Sequence, residues 1–362
     1  MQTLVSYGRL LSRAIANGVF SVSSSGSASS SVPNSQQQSV SNSSPSTSSI
    51  CQSARKRIRL LTAVSGFPKN QGPDRVRPGK FGDDAYFVAR HQLGEVIGVA
   101  DGVGGWRAWG IDPGEFSHTL MQSCERLVSS STFSPTAPTA LLAKAYAELE
   151  HSKHHILGSS TACLVMVRGT SCSKSSSNSN GTSDHDSTCS SSREQEHSRG
   201  GEREAAVSGI LSSANIGDSG YLVVRGGHVV HRSHEQQHYF NTPFQLSLPP
   251  PGTSGHVLSD SPSSADTREF EVEAGDILLV ATDGVFDNLP VPNILQLLQQ
   301  VEGTSDLADL QTAANLIAQQ ARQHAFDEDY MSPFALSAIK NGINTRGGKP
   351  DDITVILAAV LG

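Results

Sequence analysis

The sequence predicts an α+β fold in which antiparallel β-sheets are covered by helices. Short runs rich in Val, Ile and Leu, bounded by turn-forming residues, occur in groups along the chain and indicate strands. Longer segments with apolar residues at helical spacing stand between these groups. Strands in runs, with helices between the runs, favour a layered arrangement of antiparallel sheets and helices around a buried core. A chain of 362 residues is long enough to form such a core.

The folded region is predicted to open with a β-hairpin and two helices. Residues 85–89 and 95–100 have the composition of strands, and the segment between them reads as the turn. The helices are predicted over residues 116–128 and 140–149. The first of them has apolar residues at helical spacing: Phe116, Leu120, Cys124 and Leu127.

Further strands and two more helices are predicted in the second half of the chain. The strands cover residues 161–167, 206–216, 221–225, 228–231, 270–273, 277–281 and 353–360. The helices cover residues 294–301 and 307–325, and Ser305 is the expected N-cap of the second.

Charge is distributed unevenly along the chain, whose net charge is −7. Residues 1–73 contain seven basic residues and no Asp or Glu, which leaves 20 basic against 34 acidic residues in the rest. A body this acidic lacks the clustered basic face that nucleic acids require, so nucleic-acid binding is not expected. No apolar run approaches the roughly 20 residues that span a bilayer. The five cysteines show no CxxC pairing, which indicates reduced thiols rather than a zinc site or a disulfide framework.

The N-terminal segment resembles a mitochondrial transit peptide. Residues 1–20 place apolar side chains among Arg9 and Arg13, and a serine-rich tract follows to about residue 53. An amphipathic, Arg-bearing, Ser-rich and acid-free leader is typical of import into mitochondria. We therefore expect residues 1–53 to be a transit peptide with a disordered linker, and the mature protein to lie in the mitochondrial matrix. The alternative is a disordered N-terminus with incidental arginines.

A second serine-rich segment interrupts the folded region at about residues 170–202. Its composition gives too little apolar surface to fold, which predicts disorder. It lies between two predicted strands, and loop-closure entropy rises only logarithmically with loop length. We expect it to be an enlarged hairpin loop.

Two Asp-Gly pairs carry the chemistry predicted from the sequence. Asp101-Gly102 and Asp283-Gly284 each follow an apolar strand directly. A carboxylate where a buried strand emerges, beside a glycine that exposes its carbonyl, offers the oxygen ligands that Mg²⁺ and Mn²⁺ prefer. The alternative is a type I′ hairpin turn, which Asp-Gly favours. The segments that follow do not read as partner strands, so the metal hypothesis is preferred.

Other aspartates stand at further strand ends. Asp83 precedes one strand, and Asp218 follows another. Asp287 lies four residues after Asp283, and Asp351 precedes the last strand. Asp is depleted in strands, and carboxylates gathered this closely repel one another unless cations neutralise them. Any one of them alone is a cap or turn residue. Their recurrence indicates a metal centre.

In order along the chain, six blocks resemble the signature motifs of the metal-dependent protein phosphatases, the type 2C serine/threonine family. They are GDDA, VADGVGG, GSSTA, NIGDSG, ATDGVFDN and DDITV, which begin at Gly82, Val99, Gly158, Asn215, Ala281 and Asp351. The match covers about residues 60–362 without the serine-rich insert. KFGDDAYFV, HYFNTPFQL and the leader resemble the small mitochondrial branch of that family. Residues 54–362 are therefore expected to form one phosphatase domain.

The resemblance implies a four-layer α-β-β-α sandwich of two antiparallel sheets flanked by helices, with metal ions at one end. It implies that Asp101 bridges two Mg²⁺ or Mn²⁺ ions, that the Gly102 carbonyl and Asp83 bind one of them, and that Asp283 and Asp351 bind the other. Asp218 and Asp287 match the acids that hold a weaker third ion in some relatives. The expected reaction is hydrolysis of phosphoserine and phosphothreonine on proteins by a metal-bridged hydroxide, so no protein nucleophile is assigned.

The sequence departs from the family pattern at three places near the site. Val103 stands where many relatives have a histidine that protonates the leaving oxygen, so the acid is unassigned. Gly79 stands where relatives have a phosphate-binding arginine, and Lys80 or Arg77 is the candidate substitute. Asp352 replaces the usual Asn.

Two rival interpretations come from other features of the sequence. His234 to His238 spells HExxH, the helical motif of zinc proteases, but a strand precedes it and a proline follows closely. A phosphatase-shaped binding module without catalysis is the stronger rival, because the usual histidine and arginine are missing. The expected partners are phosphoprotein substrates, and the expected oligomeric state is a monomer.

Overall fold

The computed structural model describes residues 58–70, 81–152, 154–170, 207–253 and 257–362. The predicted transit peptide, the serine-rich insert from residue 171 and the candidate Lys80 lie outside these ranges. Six helices are present in them: α1 (Pro113–Val128), α2 (Pro138–Glu150), α3 (Asp283–Phe286), α4 (Val291–Leu298), α5 (Leu307–Ala325) and α6 (Pro333–Lys340). None of these helices combines the length and hydrophobicity that crossing a membrane requires.

Fourteen strands lie in the same ranges. The first seven are β1 (Arg59–Phe67), β2 (Asp84–His91), β3 (Gly94–Asp101), β4 (Gly158–Ser160), β5 (Ala162–Gly169), β6 (Ser208–Ile216) and β7 (Gly220–Arg225). The others are β8 (His228–Arg232), β9 (Gln237–Tyr239), β10 (Thr242–Pro243), β11 (Leu246–Leu248), β12 (Asp266–Glu273), β13 (Ile277–Ala281) and β14 (Ile353–Leu361).

Ten of these strands form two five-stranded antiparallel sheets. The first sheet has the order β1-β14-β13-β7-β8, and the second has the order β12-β6-β5-β3-β2. The short strands pair separately, β4 with β11 and β9 with β10. This confirms the predicted antiparallel α+β fold.

The two sheets pack face to face through one apolar layer. Val99 and Val165 of the second sheet belong to the same buried cluster as Leu278, Val280 and Ile356 of the first. Alternate residues of each strand point to opposite faces, so their neighbours form the outer faces. The inner strands β13 and β14 are therefore apolar at nearly every position, although their pairing is antiparallel.

Helices cover the outer face of each sheet. On the first sheet, Leu279 and Leu357 are clustered with Leu310 and Ile317 of α5. On the second sheet, the strand residues Phe87, Leu164 and Met166 are clustered with helix residues. These are Phe116 and Leu120 of α1 and Leu142 of α2. The order of layers is helix, sheet, sheet, helix, which confirms the four-layer sandwich.

The two predicted hairpins are both present. Strands β2 and β3 pair with Ala85 opposite Ala100, as the apolar pattern predicts. Strands β5 and β6 pair up to Gly169 opposite Gly209, and the serine-rich insert connects these two residues. The insert therefore extends from the end of a paired hairpin.

The structure differs from the sequence-based expectation in several details. The short strands β4, β9, β10 and β11 and the one-turn helix α3 were not predicted. Strand β1 was not predicted, because its mixed polar and apolar residues become a strand only by pairing with β14 along their whole length. The helix α6 was also not predicted. The N-cap of α5 is Asp306 rather than Ser305, since the Asp306 carboxylate accepts a hydrogen bond from the backbone N–H of Ala308 at 2.8 Å.

Candidate active site

The predicted acidic residues meet at one end of the sandwich, and both sheets contribute to the group. Asp101 ends β3, and Asp83 directly precedes β2, its neighbour in the second sheet. Asp283 begins α3 just after β13, and Asp351 precedes β14, the neighbour of β13 in the first sheet. Asp218 lies in the turn between β6 and β7. Residues far apart in sequence are thus brought together because strands of both stacked sheets begin or end there.

Three of these carboxylates form a compact cluster. One oxygen each from Asp101, Asp218 and Asp283 lies within 4.8 Å of the other two. The Oδ1 atoms of Asp218 and Asp283 are buried and have no hydrogen-bond partner. Buried, unpaired carboxylate oxygens are costly, and hard divalent cations are their natural partners. The donor set fits Mg²⁺ or Mn²⁺.

The backbone of Asp101 is fixed by its neighbours in β4 and β5. Its N–H donates to the Thr161 hydroxyl at 3.0 Å, and its carbonyl accepts from the Thr161 N–H at 2.9 Å and the Ser160 hydroxyl at 2.8 Å. Burial, together with the nearby charges of Asp283 and Asp84, raises the pKa of the Asp101 carboxyl well above its usual range. A bound cation would reverse that shift.

Both Asp-Gly pairs need glycine because the chain approaches another backbone closely. A Cβ on Gly102 would stand 2.5 Å from the Pro113 carbonyl oxygen, and one on Gly284 would stand 2.0 Å from the Asp352 carbonyl oxygen. Neither pair forms a hairpin turn, since a 3₁₀ turn (Gly104–Trp109) follows the first and α3 begins at the second. The hairpin alternative is therefore wrong.

Asp83 is buried beside Asp352 and two cationic side chains. Its backbone N–H donates to the Asp352 carboxylate at 2.9 Å. Its own carboxylate contacts the Arg107 guanidinium and lies 3.2 Å from the Lys69 ammonium. The Lys69 ammonium also lies 3.3 Å from Asp351 and 3.2 Å from Asp352. Lys69 therefore neutralises the Asp83 side of the acidic group.

Lys349 neutralises the opposite side. Its Nζ lies 2.5 Å from Asp283 Oδ2, 2.7 Å from Asp287 Oδ2 and 3.4 Å from Asp351 Oδ2. Burial raises the pKa of Asp287 to about 7, although Lys349 opposes that shift. Burial also acts to raise the pKa of Asp351, but Lys349 and Lys69 outweigh it and hold that pKa below its usual value.

Asp84 is a residue of this site region whose environment the sequence did not reveal. It is fully buried on β2, and its Oδ2 accepts hydrogen bonds from the Thr282 hydroxyl at 2.8 Å and the Thr354 hydroxyl at 2.7 Å. Burial and the neighbouring Asp352 raise its pKa well above the usual range. Asp84 therefore ties the second sheet to the first beside the acidic cluster.

Three cationic residues at the site were also missed by the sequence analysis: Lys69, Arg107 and Lys349. Lys69 and Arg107 are partly exposed, whereas the predicted phosphate contact Lys80 and its alternative Arg77 lie outside the described residues. Trp106 anchors the segment before Arg107, because its indole N–H donates to the buried Ser159 hydroxyl at 2.6 Å. The only signal for Arg107 was its place five residues after Gly102.

The HExxH spelling does not form a zinc-protease site. Residues 234–236 are not helical, and Gln237 begins the short strand β9. His238 instead contacts Asp260, with 2.9 Å between Nε2 and Oδ2. Burial, and to a smaller extent the charge of Asp283, nevertheless raise the pKa of Glu235. The zinc-protease interpretation is wrong.

Comparison with known proteins identifies the family. No family model matches the chain. Protein phosphatase PTC7 homolog of Homo sapiens is 50% identical over 302 residues, which are 83% of this chain and 87% of the human protein. The PTC7 homolog of Danio rerio is 44% identical over 361 residues, which are 99% of this chain and 98% of the fish protein. The chain belongs to the PTC7 family of protein phosphatases.

A solved structure agrees with this assignment. The photosystem II phosphatase PBCP is 25% identical, with a TM-score of 0.61, and the match covers 83% of this chain and 98% of that one. The predicted resemblance to metal-dependent protein phosphatases and the predicted sandwich fold are therefore confirmed for this PTC7 family member.

Proposed function

We propose that this protein hydrolyses phosphoserine and phosphothreonine in proteins, with Mg²⁺ or Mn²⁺ held by its acidic cluster. The observation that carries the proposal is the approach of Asp101, Asp218 and Asp283 to within 4.8 Å, with buried unpartnered oxygens on Asp218 and Asp283. An acidic cluster built by two different sheets, in a chain of the PTC7 family, is a metal site rather than a set of surface charges.

The ligand assignment predicted from the sequence is compatible with this geometry. Asp101, the Gly102 carbonyl and Asp83 would hold one ion, and Asp101 with Asp283 and Asp351 would hold the second. The support is that all four aspartates lie at or next to strand ends at one end of the sandwich, two from each sheet. Asp218 and Asp287 were also predicted from the sequence as candidates for a third, weaker ion, and Asp287 contacts the Lys349 ammonium in the structure.

Bound divalent ions would activate a water molecule for attack on phosphorus and stabilise the negative charge on the phosphoryl oxygens. The protein's own part is to fix the backbone that carries the carboxylates. The Asp101 N–H donates to the Thr161 hydroxyl, and the Asp83 N–H donates to the Asp352 carboxylate. Arg107 and Lys69 place positive charge at the rim, where it favours a phosphate dianion. Val103 offers no proton to the leaving oxygen, so no side chain is assigned as the acid.

A phosphate-release assay tests the function. The purified full-length chain is incubated with a phosphothreonine peptide, with Mn²⁺, with Mg²⁺ or with EDTA. We expect release with a divalent ion and none with EDTA. Absence of release with both ions would contradict the enzyme assignment and leave the binding-module alternative, which Val103 favours.

Asp283→Asn is expected to abolish turnover and leave the fold intact, because it removes one negative charge from the cluster with little change in shape. Turnover is measured with the same peptide, and the fold is checked by circular dichroism and thermal melting. Asp306→Asn is the matched control, since Asn also caps helices and Asp306 lies at the exposed start of α5. Retained activity in Asp283→Asn would show that the ligand assignment is wrong.

We also propose a mitochondrial matrix location and a monomeric state. The support for the location is the acid-free, arginine-bearing leader of residues 1–53. The test compares full-length protein with a chain lacking residues 1–53, each fused to a fluorescent protein, and adds protease protection in isolated mitochondria. Equal distribution of the two fusions would contradict the proposal. Size-exclusion chromatography with light scattering tests the oligomeric state.

A further inference from the structure

Lys349 contacts Asp287, one of the two aspartates that the family resemblance matches to ligands of a weaker third ion. Its ammonium nitrogen lies between Asp283 and Asp287, at 2.5 Å and 2.7 Å from their Oδ2 atoms. Asp351 is the third carboxylate around it, at 3.4 Å. The ammonium supplies the positive charge that three neighbouring carboxylates need, which a metal ion would otherwise provide.

The backbone of Lys349 is fixed to the segment that carries Asp283 and Asp287. The Asn288 side chain accepts from the Lys349 N–H at 2.8 Å and donates to the Lys349 carbonyl at 2.9 Å. The same amide donates to the Gly284 carbonyl at 2.9 Å, and Asn288 is fully buried. The lysine and its carboxylate partners are therefore held in one rigid unit.

The loop before Lys349 is shaped for close contact with α5. Gly347 has φ of +100°, and a Cβ on Gly348 would stand 1.9 Å from the His324 carbonyl oxygen. On the far side, the Lys349 ammonium lies 5.4 Å from the centre of the Phe334 ring of α6. Both contacts direct the side chain into the site rather than into solvent.

The two oxygens of Asp283 have separate partners. Oδ2 accepts from Lys349, whereas Oδ1 is buried without a hydrogen-bond partner. Asp287 also directs its Oδ2 at the lysine, at 2.7 Å. Asp283, which belongs to the carboxylate cluster with Asp101 and Asp218, thus contacts the lysine with one oxygen and keeps the other available for a metal.

Resting on the proposed function, we propose that Lys349 is a built-in cation that replaces a third metal ion. Its ammonium neutralises Asp287 and one oxygen of Asp283, so that Asp287 is a partner of lysine and does not bind metal. Lys349 is therefore a positioning residue, which orients the free oxygen of Asp283 towards the metal centre. The wild-type protein binds two divalent ions and has no place for another.

The test counts Mn²⁺ ions by equilibrium dialysis, with electron paramagnetic resonance to detect free Mn²⁺. Lys349→Met removes the charge and keeps much of the side-chain volume. We expect it to bind one ion more than the wild-type protein, because the vacated position is ringed by carboxylates. Lys349→Arg keeps the charge and should bind the wild-type number.

Two further variants separate this role from a merely structural one. Asp287→Asn in the otherwise wild-type chain should bind the wild-type number of ions, because its carboxylate serves the lysine. The double variant Lys349→Met with Asp287→Asn should also return to the wild-type number, because the additional site loses a ligand. Lys340→Met is the matched control, since it makes the same substitution at an exposed position in α6.

The outcomes distinguish this proposal from the proposed function. If the wild-type protein binds no Mn²⁺, the proposed function itself fails. If the wild-type protein binds Mn²⁺ but Lys349→Met binds the same number, the lysine proposal is overturned. It is also overturned if the single variant Asp287→Asn binds one Mn²⁺ ion fewer than the wild-type protein. This second measurement decides the question even if Lys349→Met does not fold. Turnover of Lys349→Met should fall about 10- to 100-fold, the usual effect of losing an outer-shell partner.

Discussion

Single residues set the charge balance of the acidic cluster. Asp84, Asp101, Asp218 and Asp287 all have pKa values raised first of all by burial. Lys69 and Lys349 offset part of that cost through their contacts with neighbouring carboxylates. Without metal, the folded protein therefore holds protons that the unfolded chain would release at the same pH.

The stability of the metal-free protein should fall as pH rises from about 5 to about 7. An unfolded Asp titrates near pH 4, whereas burial raises the folded pKa of Asp287 to about 7. Between those values the folded state binds more protons than the unfolded state, so the free energy of unfolding decreases with pH. Thermal melting in EDTA should give a lower midpoint at pH 7.5 than at pH 5.5.

Added Mn²⁺ should stabilise the protein more at pH 7.5 than at pH 5.5, because protons compete with the metal for the carboxylates. Asp287→Asn should weaken the pH dependence measured in EDTA. A melting midpoint that rises with pH in EDTA would contradict the assignment of raised pKa values.

At the scale of elements, the junction between β3 and α1 positions the centre. The Gly102 N–H donates to the Asp83 carbonyl at 3.1 Å, and the Ser117 hydroxyl of α1 donates to the same carbonyl at 2.5 Å. Asp112 caps α1 by accepting from the Gly114 N–H at 3.1 Å. The end of β3, the start of β2 and the first turn of α1 therefore form one packed unit.

Gly102→Ala should destabilise the protein by about 1–3 kcal/mol, because its methyl group would overlap backbone oxygens of this junction. The added Cβ would lie 2.5 Å from the Pro113 oxygen and 2.8 Å from the Asp83 oxygen. Gly105→Ala is the matched control, since a Cβ there meets nothing within 4 Å. Urea unfolding measures both variants. Equal stability of the two would show that the junction relaxes freely.

At the scale of the whole molecule, the metal site depends on the contact between the sheets. Asp83 and Asp101 belong to the second sheet, and Asp283 and Asp351 belong to the first. One apolar layer and the hydrogen bonds of Asp84 to Thr282 and Thr354 hold the two sheets together near the site. Loosening this layer should therefore affect metal affinity as well as stability.

Leu278→Ala should cost about 2–5 kcal/mol of stability, as a cavity in a buried layer does. Leu278 is fully buried between the sheets. Leu316→Ala on α5 is the control, because Leu316 is exposed. Urea unfolding gives the stability change, and Mn²⁺ titration of the folded variants gives the affinity. Unchanged stability in Leu278→Ala would contradict the packing described for the inner layer.

The sequence by itself determined most of the longer strands and helices, and it predicted the type of site. Strand β13 and helix α5 have the predicted bounds, because an apolar run and an amphipathic period are local properties. The Asp-Gly pairs at strand ends were also readable locally, since a carboxylate and a glycine adjoin a buried strand. These signals were sufficient to predict the layered fold and an acidic metal centre.

The tertiary structure alone decided which residues complete the centre. Three cationic residues enter it from outside the strands: Lys69 and Lys349 from loops, and Arg107 from a 3₁₀ turn. Their partners can lie far away in sequence, since Lys69 contacts Asp351, which is 282 positions later. Of the adjacent Asp83 and Asp84, only the fold shows that the second bonds to threonines of the opposite sheet. Sheet order and side-chain charge contacts are non-local, so no local pattern encodes them.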